Sequence, residues 1–216
     1  KIMSLKTIIN QAQFITVEKI KTSAQSISRS GRLFTAELAS AIPYRFTVGM
    51  HGGLQYSLNR GLLETLDTLD RTVESNINIG SSNPALAYVT AYQGDSTTTN
   101  GISIIGSSGN TLIINAAGAG TGTFLFKKGD FIQPASGYRY PFQVTADVAH
   151  TNAGSVSIPI HRPYIEQTGY SLNGKGLTVG SSVSWYVKMI TKPLHSIVPH
   201  DRIEFNTDFQ LIEVIE

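Results

Sequence analysis

The chain reads as mainly β: an antiparallel β-sandwich or barrel scaffold with one packed α-helix and an inserted small β-module. Three patterns carry that reading. Tyr44, Phe46, Val48 and Met50 alternate with Arg45 and Thr47, and Val183, Trp185, Val187 and Met189 alternate with Ser184, Tyr186 and Lys188. Successive side chains on a strand point to opposite faces, so each run has one face to bury. Thr123–Tyr164 holds three short apolar runs, each closed by a polar turn. Leu58, Leu62, Leu66, Leu69 and Val73 instead recur at helical spacing, which predicts an amphipathic helix over 58–73.

The N-terminal segment reads as β-hairpins. Ile8–Val17 is a first strand and Ser23–Ile27 a second, with Ser28–Arg32 turning the chain before Leu33. Pro43 suits the start of the next strand. Ser57 stands where a helix N-cap is expected, and Arg60 with Glu64 and Asp67 with Arg71 are i,i+4 opposite-charge pairs. The leucine stripe packs on a sheet; a partner-binding helix is the alternative. Gly80–Pro84 reads as a break. Ala85–Gln93 fits helix or strand, and a short helix capped near Ser82 is preferred.

Gly94–Gly122 is rich in Gly, Ser, Thr and Asn, with apolar islands at Ile102–Ile105 and Leu112–Ile114 that favour short strands over a flexible insertion. Phe124–Phe126 stops at Lys127-Lys128-Gly129-Asp130, a tight turn with Gly for positive φ and Asp for side-chain bonding to the backbone. Phe142, Val144, Ala146 and Val148 form one strand, Asn152-Ala153-Gly154 a turn, and Val156, Ile158 and Ile160 another strand. Tyr170–Thr178 reads as a loop, and Arg202–Phe205 with Phe209–Ile215 as a terminal hairpin. Residues 1–93 and 165–216 then make the scaffold, and 94–164 the inserted module.

Composition narrows the function classes. At 216 residues with 41% hydrophobic content the chain can bury a real core. Charged residues are only 15%, low for a water-exposed domain. The net charge of +2 at pH 7, with no cluster of Lys and Arg, argues against a nucleic-acid partner. Cysteine is absent, which removes disulfides, thiolate catalysis and Cys-ligated zinc, and fits a cytoplasmic product. No run approaches the ~18 apolar residues of a membrane span. KIMSLKTIIN lacks an apolar core followed by a cleavage site, which reads against a signal peptide.

No motif is assembled for chemistry. Gly169–Gly176 nearly spells a phosphate loop, but Gly176 replaces the hydroxyl residue and a strand follows. Gly118, Gly120 and Gly122 precede a strand, so they cannot open a dinucleotide-binding helix. Among His51, His150, His161, His195 and His200 only the last two are close, and a spacing of five suits neither a helical nor a strand-borne metal site. Glu64, Asp67 and Asp70 on the helix, and Asp130, Asp147 and Asp208 at turns or strands, form no carboxylate pair by local spacing, and GxSxG is absent. The expectation is a protein that is not an enzyme and has no cofactor or metal. Tyr138, Tyr140, Tyr164 and Tyr170 near loops read as exposed aromatics able to bind sugar or protein, and Trp185 as core.

The order of elements resembles tailed-bacteriophage virion proteins of the distal-tail and baseplate kind, including those of contractile-tailed phages of marine bacteria. The likeness lies in SRSGRLFTAELASAIPYRFTV (28–48), LNRGLLETLDTLDR (58–71), KKGDFIQ (127–133), VTADVAHTNAGSVSIPIHRP (144–163) and SVSWYVKMITKPLHSI (182–197). KGDFIQ followed by VTADV and a strand ending in HRP is its most specific part, and 94–122 has no counterpart. The resemblance implies a structural subunit in the virion tail, assembled in the host cytoplasm. It would pack with copies of itself into a ring, typically sixfold, that joins the tube to other baseplate or host-recognition proteins. Lys127, Lys128, Asp130, Tyr138, Tyr140, His161, Arg162 and Tyr170 are the expected subunit or ligand contacts, with the loops 94–122 and 170–180. A glycan- or receptor-binding module, a cell-wall hydrolase and a neck or connector protein are the alternatives.

Overall fold

The computed structural model describes residues 5–21, 23–27, 33–37, 41–68, 74–151 and 154–216. The expected turn at 28–32, the helix positions Leu69, Arg71 and Val73, and the Asn152-Ala153 turn lie outside these residues. The described chain is mainly β, with antiparallel sheets and three α-helices.

The N-terminal part runs α1 (Leu5–Ile9), β1 (Ala12–Lys19), β2 (Ser23–Ile27), β3 (Leu33–Glu37), β4 (Tyr44–Met50), β5 (Leu54–Gln55), α2 (Tyr56–Thr68), β6 (Ser75–Ile77) and α3 (Ile79–Ser82), then a 3-10 helix over Pro84–Val89. The middle part is β7 (Gly101–Ser108), β8 (Thr111–Gly118), β9 (Phe124–Phe126), β10 (Phe131–Pro134), β11 (Phe142–Gln143), β12 (Val148–Ala149) and β13 (Val156–Pro159). The C-terminal part is β14 (Leu177–Val179), β15 (Trp185–Thr191), β16 (His195–Val198), β17 (Arg202–Phe205) and β18 (Phe209–Glu213).

Both ends of the chain build the largest sheet, ordered β1-β4-β18-β15-β6. Its register sets Leu211 against Phe46, Met189 against Leu211 and Trp185 against Ile77. The alternating faces read from the sequence therefore meet in one apolar layer. Leu5 and Ile9 of α1, Leu62, Leu63 and Leu66 of α2 and Ile79 of α3 close over it. A second core gathers Ile102, Ile104, Leu112, Ile114, Leu125, Phe142, Ile158 and their neighbours from the middle part. It also draws on chain beyond residue 164, because β14 pairs with β10 and Tyr170, Leu172 and Leu177 pack on that core.

β10 joins the two. All four of its residues are buried. Phe131 enters the first core, edge-on to Trp185 at 5.4 Å, while Ile132 enters the second. A strand buried on both faces sends alternate side chains to opposite layers. Gln133 returns to the first side, where it donates to the Ser184 carbonyl and accepts from the Ser184 N–H, each at 3.0 Å.

Several expectations change. Ile8 and Ile9 belong to or border α1 instead of opening a strand, and β1 begins at Ala12. The expected break at Gly80–Pro84 is helical, since Asn78 Oδ1 accepts from Ser81 N at 2.7 Å and Asn83 Oδ1 from Ala85 N at 3.1 Å; two Asn caps in series start two short turns. The 142–148 run splits into β11 and β12 with Ala146 exposed. β17 and β18 are no hairpin: β17 pairs with β16 and β5, and β18 with β4 and β15. On α2 the first leucine of the stripe, Leu58, is 77% exposed, and Leu63 takes its place inside.

Candidate functional site

Arg162 and Glu213 form a fully buried ion pair between the two cores. Arg162 follows β13, and Glu213 ends β18 in phase with the inward-facing Phe209 and Leu211. Two parallel bonds of 2.6 Å join Nη1 and Nη2 to the carboxylate. Nη1 also donates to the Ile42 carbonyl and Nη2 to the Pro141 carbonyl, both at 2.9 Å, and the Tyr44 N–H donates to Glu213 Oε2 at 3.0 Å. The guanidinium lies over the Tyr44 and Phe142 rings at 5.4 and 5.7 Å. Burial pushes the Glu213 carboxyl up, opposed by the guanidinium and the Tyr44 N–H. Such a pair ties four chain segments at one point, and breaking either half would strand a charge.

His161 borders this pair. Its Nδ1 accepts from the Gln143 N–H at 3.0 Å, which leaves the ring proton on Nε2 when neutral. Burial, then the charges of Arg162 and Lys19, hold its pKa down to about 3. It is neutral at physiological pH and spent on packing.

The tyrosines are not exposed, as the sequence suggested, but stacked on one another. Tyr138 is buried against Tyr140, Tyr164 and Tyr170 with ring centroids 5.1–5.5 Å apart, and Tyr140 is buried with it. Tyr138 Oη donates to the Ile165 carbonyl at 2.7 Å, and half-buried Tyr170 donates to Ala135 at 2.5 Å. Burial pushes the Tyr170 hydroxyl up to about 12. Alternating tyrosine spacing near a loop looks the same in sequence whether the rings face solvent or each other.

Asp130 is buried as well. One carboxylate oxygen accepts from Lys127 N at 2.9 Å and the other from Gln93 N at 2.7 Å, while Gly129 takes φ +106°. The turn has the chemistry its residues predict, and its aspartate is consumed in making it. Of the eight expected contact residues, then, Asp130, Tyr138, Tyr140, His161 and Arg162 are interior, because each carries a polar group that bonds the backbone of a neighbouring segment. Lys127, packed over the Phe124 ring at 5.2 Å, exposed Lys128 and Tyr170 remain accessible to a partner.

Accessible features lie at both ends of the large sheet. At the Tyr44 end, Lys19 pairs across from Tyr44, and the Lys128-Gly129 turn is held to the same region through Gln143, which donates to the Gly129 carbonyl at 3.1 Å. Lys19 falls below its usual range through partial burial and the charges of Lys21 and Lys128. At the Met50 end, β16, β17 and β5 make a small sheet beside α2. Its β16–β17 turn places His200 and Asp201 at φ +67° and +59°. The Asp201 carboxylate accepts from Ser57 N at 2.8 Å and Ser57 Oγ at 2.5 Å. Ser57 is thus inside the helix, and a residue 144 positions away supplies its cap.

An open cleft of about 510 Å³ separates α2 from β16, walled by Tyr56, Arg60, Leu63, Asp67, His195 and Ile197. Its charges are engaged, Arg60 over the Tyr56 ring at 5.1 Å and Asp67 with Lys192. Leu194 and Ile197 beside it are 66% and 58% exposed. Among the described residues no three His, Asp or Glu side chains gather as a metal would need, and no helix is long and apolar enough to cross a membrane. No protein-family model and no curated protein matches this chain.

Proposed function

We propose that this protein is a non-enzymatic structural subunit that assembles with copies of itself into a ring, of the kind that joins tube to baseplate in tailed-bacteriophage virions. The observation that carries the reading is the Met50 end of the large sheet. There β16 has one strand neighbour, β17, among the described residues, and exposes Ile197 next to Leu194. Proteins generally guard such an edge with charge, proline or a covering element, and a neighbouring subunit is one such cover. The low charge content of 15% fits a surface that is covered in its working state. The buried polar residues support the same reading, since they are engaged in fixing a rigid body. A sixfold ring at the distal tail or baseplate follows from the sequence resemblance, and the same contact would serve a neck or connector ring.

Sedimentation velocity over a hundredfold concentration range tests this. The expected result is a shift from monomer to a discrete closed oligomer. A chain that stays monomeric throughout would refute it.

A further inference from the structure

Two incomplete β-elements sit at opposite ends of the large sheet. At the Tyr44 end, β2 and β3 pair from Ser23↔Glu37 to Ile27↔Leu33, and among the described residues neither pairs with any other strand. A lone two-stranded hairpin is marginal in water. At the Met50 end, the outer edge of β16 pairs with no strand among the described residues. Gly53 N donates to the Ile203 carbonyl at 3.1 Å, so Ile203 faces β5, while Arg202 and Glu204 face β16. Antiparallel pairing alternates, so Ser196 and Val198 bond β17, and the N–H and C=O of His195 and Ile197 point away from the sheet. Six residue steps of β4 separate the two ends, about 20 Å at strand rise.

We propose that the paired strands β2 and β3 of one copy add, head to tail, to the outer edge of β16 in a second copy. This names the contact within the self-assembly reading above and rests on it. β2 and β3 need a neighbour, and β16 supplies unpaired donors and acceptors with no lysine, carboxylate or proline in the strand to repel one. The flanking charges are complementary. Lys19, Lys21 and Lys128 stand at the root of β2, and exposed Glu204 and Asp208 stand on and just after β17, with Arg202 the one basic side chain on β17 and Lys192 before β16 paired to Asp67. The added strand would cover Leu194 and Ile197. Because donor and acceptor surfaces differ, the contact is heterologous and closes into a ring when its rotation allows.

The cysteine-free chain suits disulfide trapping. The full-length double variant Gln25→Cys/Ser196→Cys is oxidised beside each single variant. The expected result is a ladder of covalent multimers from the double variant and nothing beyond dimer from either single one. Ile197→Pro removes one outward N–H without touching the β16–β17 bonds, and should weaken association about tenfold. If the unmodified protein assembles while the double variant gives no ladder, the contact of β2 and β3 with β16 is wrong and the assembly reading stands. If the unmodified protein is monomeric at every concentration, both are wrong.

Discussion

His161 shows how a side chain that looks chemically available becomes structural once its surroundings are fixed. Its Nδ1 accepts a backbone N–H, and its pKa is held to about 3, against an ordinary 6.5 in the unfolded chain. The unfolded state therefore binds a proton that the folded state refuses. Stability from this residue is complete above about pH 6.5 and falls as pH drops towards 3, at about 1.4 kcal/mol per pH unit. Urea titrations at pH 7.5 and 5 should differ by about 2 kcal/mol from this residue, and His161→Gln should flatten that difference. Leucine truncations distinguish the helix faces. Leu66→Ala, at a site with no exposure, should cost about 2–5 kcal/mol, whereas Leu58→Ala should change denaturation midpoints by no more than about 0.5 kcal/mol. A stripe drawn from spacing treats the two alike, because helical periodicity does not say where along its length a helix meets the core.

At the scale of elements, local chemistry was legible and long-range partners were not. The β4 and β15 alternations, the Asp130 turn and the Ser23–Ile27 strand follow from residue type and spacing and recur in the structure. The cap of α2 does not. Ser57 looks like the cap, yet Asp201, brought over by the β16–β17 turn, makes the bonds. Its carboxyl lies below the usual range because Ser57 donates to it twice, so the cap is present above the ordinary carboxylate pKa and fades as pH falls through the lowered value. In Asp201→Ala, hydrogen exchange should quicken first at the α2 amides of residues 57–59, with the large-sheet amides unchanged. Unchanged exchange in that first turn would contradict the capping role. Glu213 carries a faint signal that spacing alone could have raised: a carboxylate in phase with Phe209 and Leu211 needs a buried cation. Its partner Arg162 is 51 residues distant, and no local pattern joins them.

For the molecule as a whole, β10 and the Arg162–Glu213 pair hold two cores together. Phe131 and Ile132 face different layers, and the ion pair ties the end of β13 to β18 and to the start of β4. Arg162→Met should therefore cost about 3–5 kcal/mol, since it leaves Glu213 charged and buried, while Arg162→Met with Glu213→Leu should recover most of that loss. Calorimetry should show one transition for the native chain and two for Arg162→Met, as the cores uncouple. The residue pattern alone carried the mainly β class, the buried faces of β4 and β15, the Asp130 turn and much of the apolar stock of each core, because these rest on periods of two to four residues and on the backbone preferences of Gly, Pro, Asn and Asp. Only the packing of distant segments settled which tyrosines stack inside, which carboxylate caps α2, which charge meets which, and which strand edge stays unpaired among the described residues. Those outcomes depend on residues tens to more than a hundred positions apart, where burial makes a bond strong or an unpaired group costly and where sequence spacing carries no geometry.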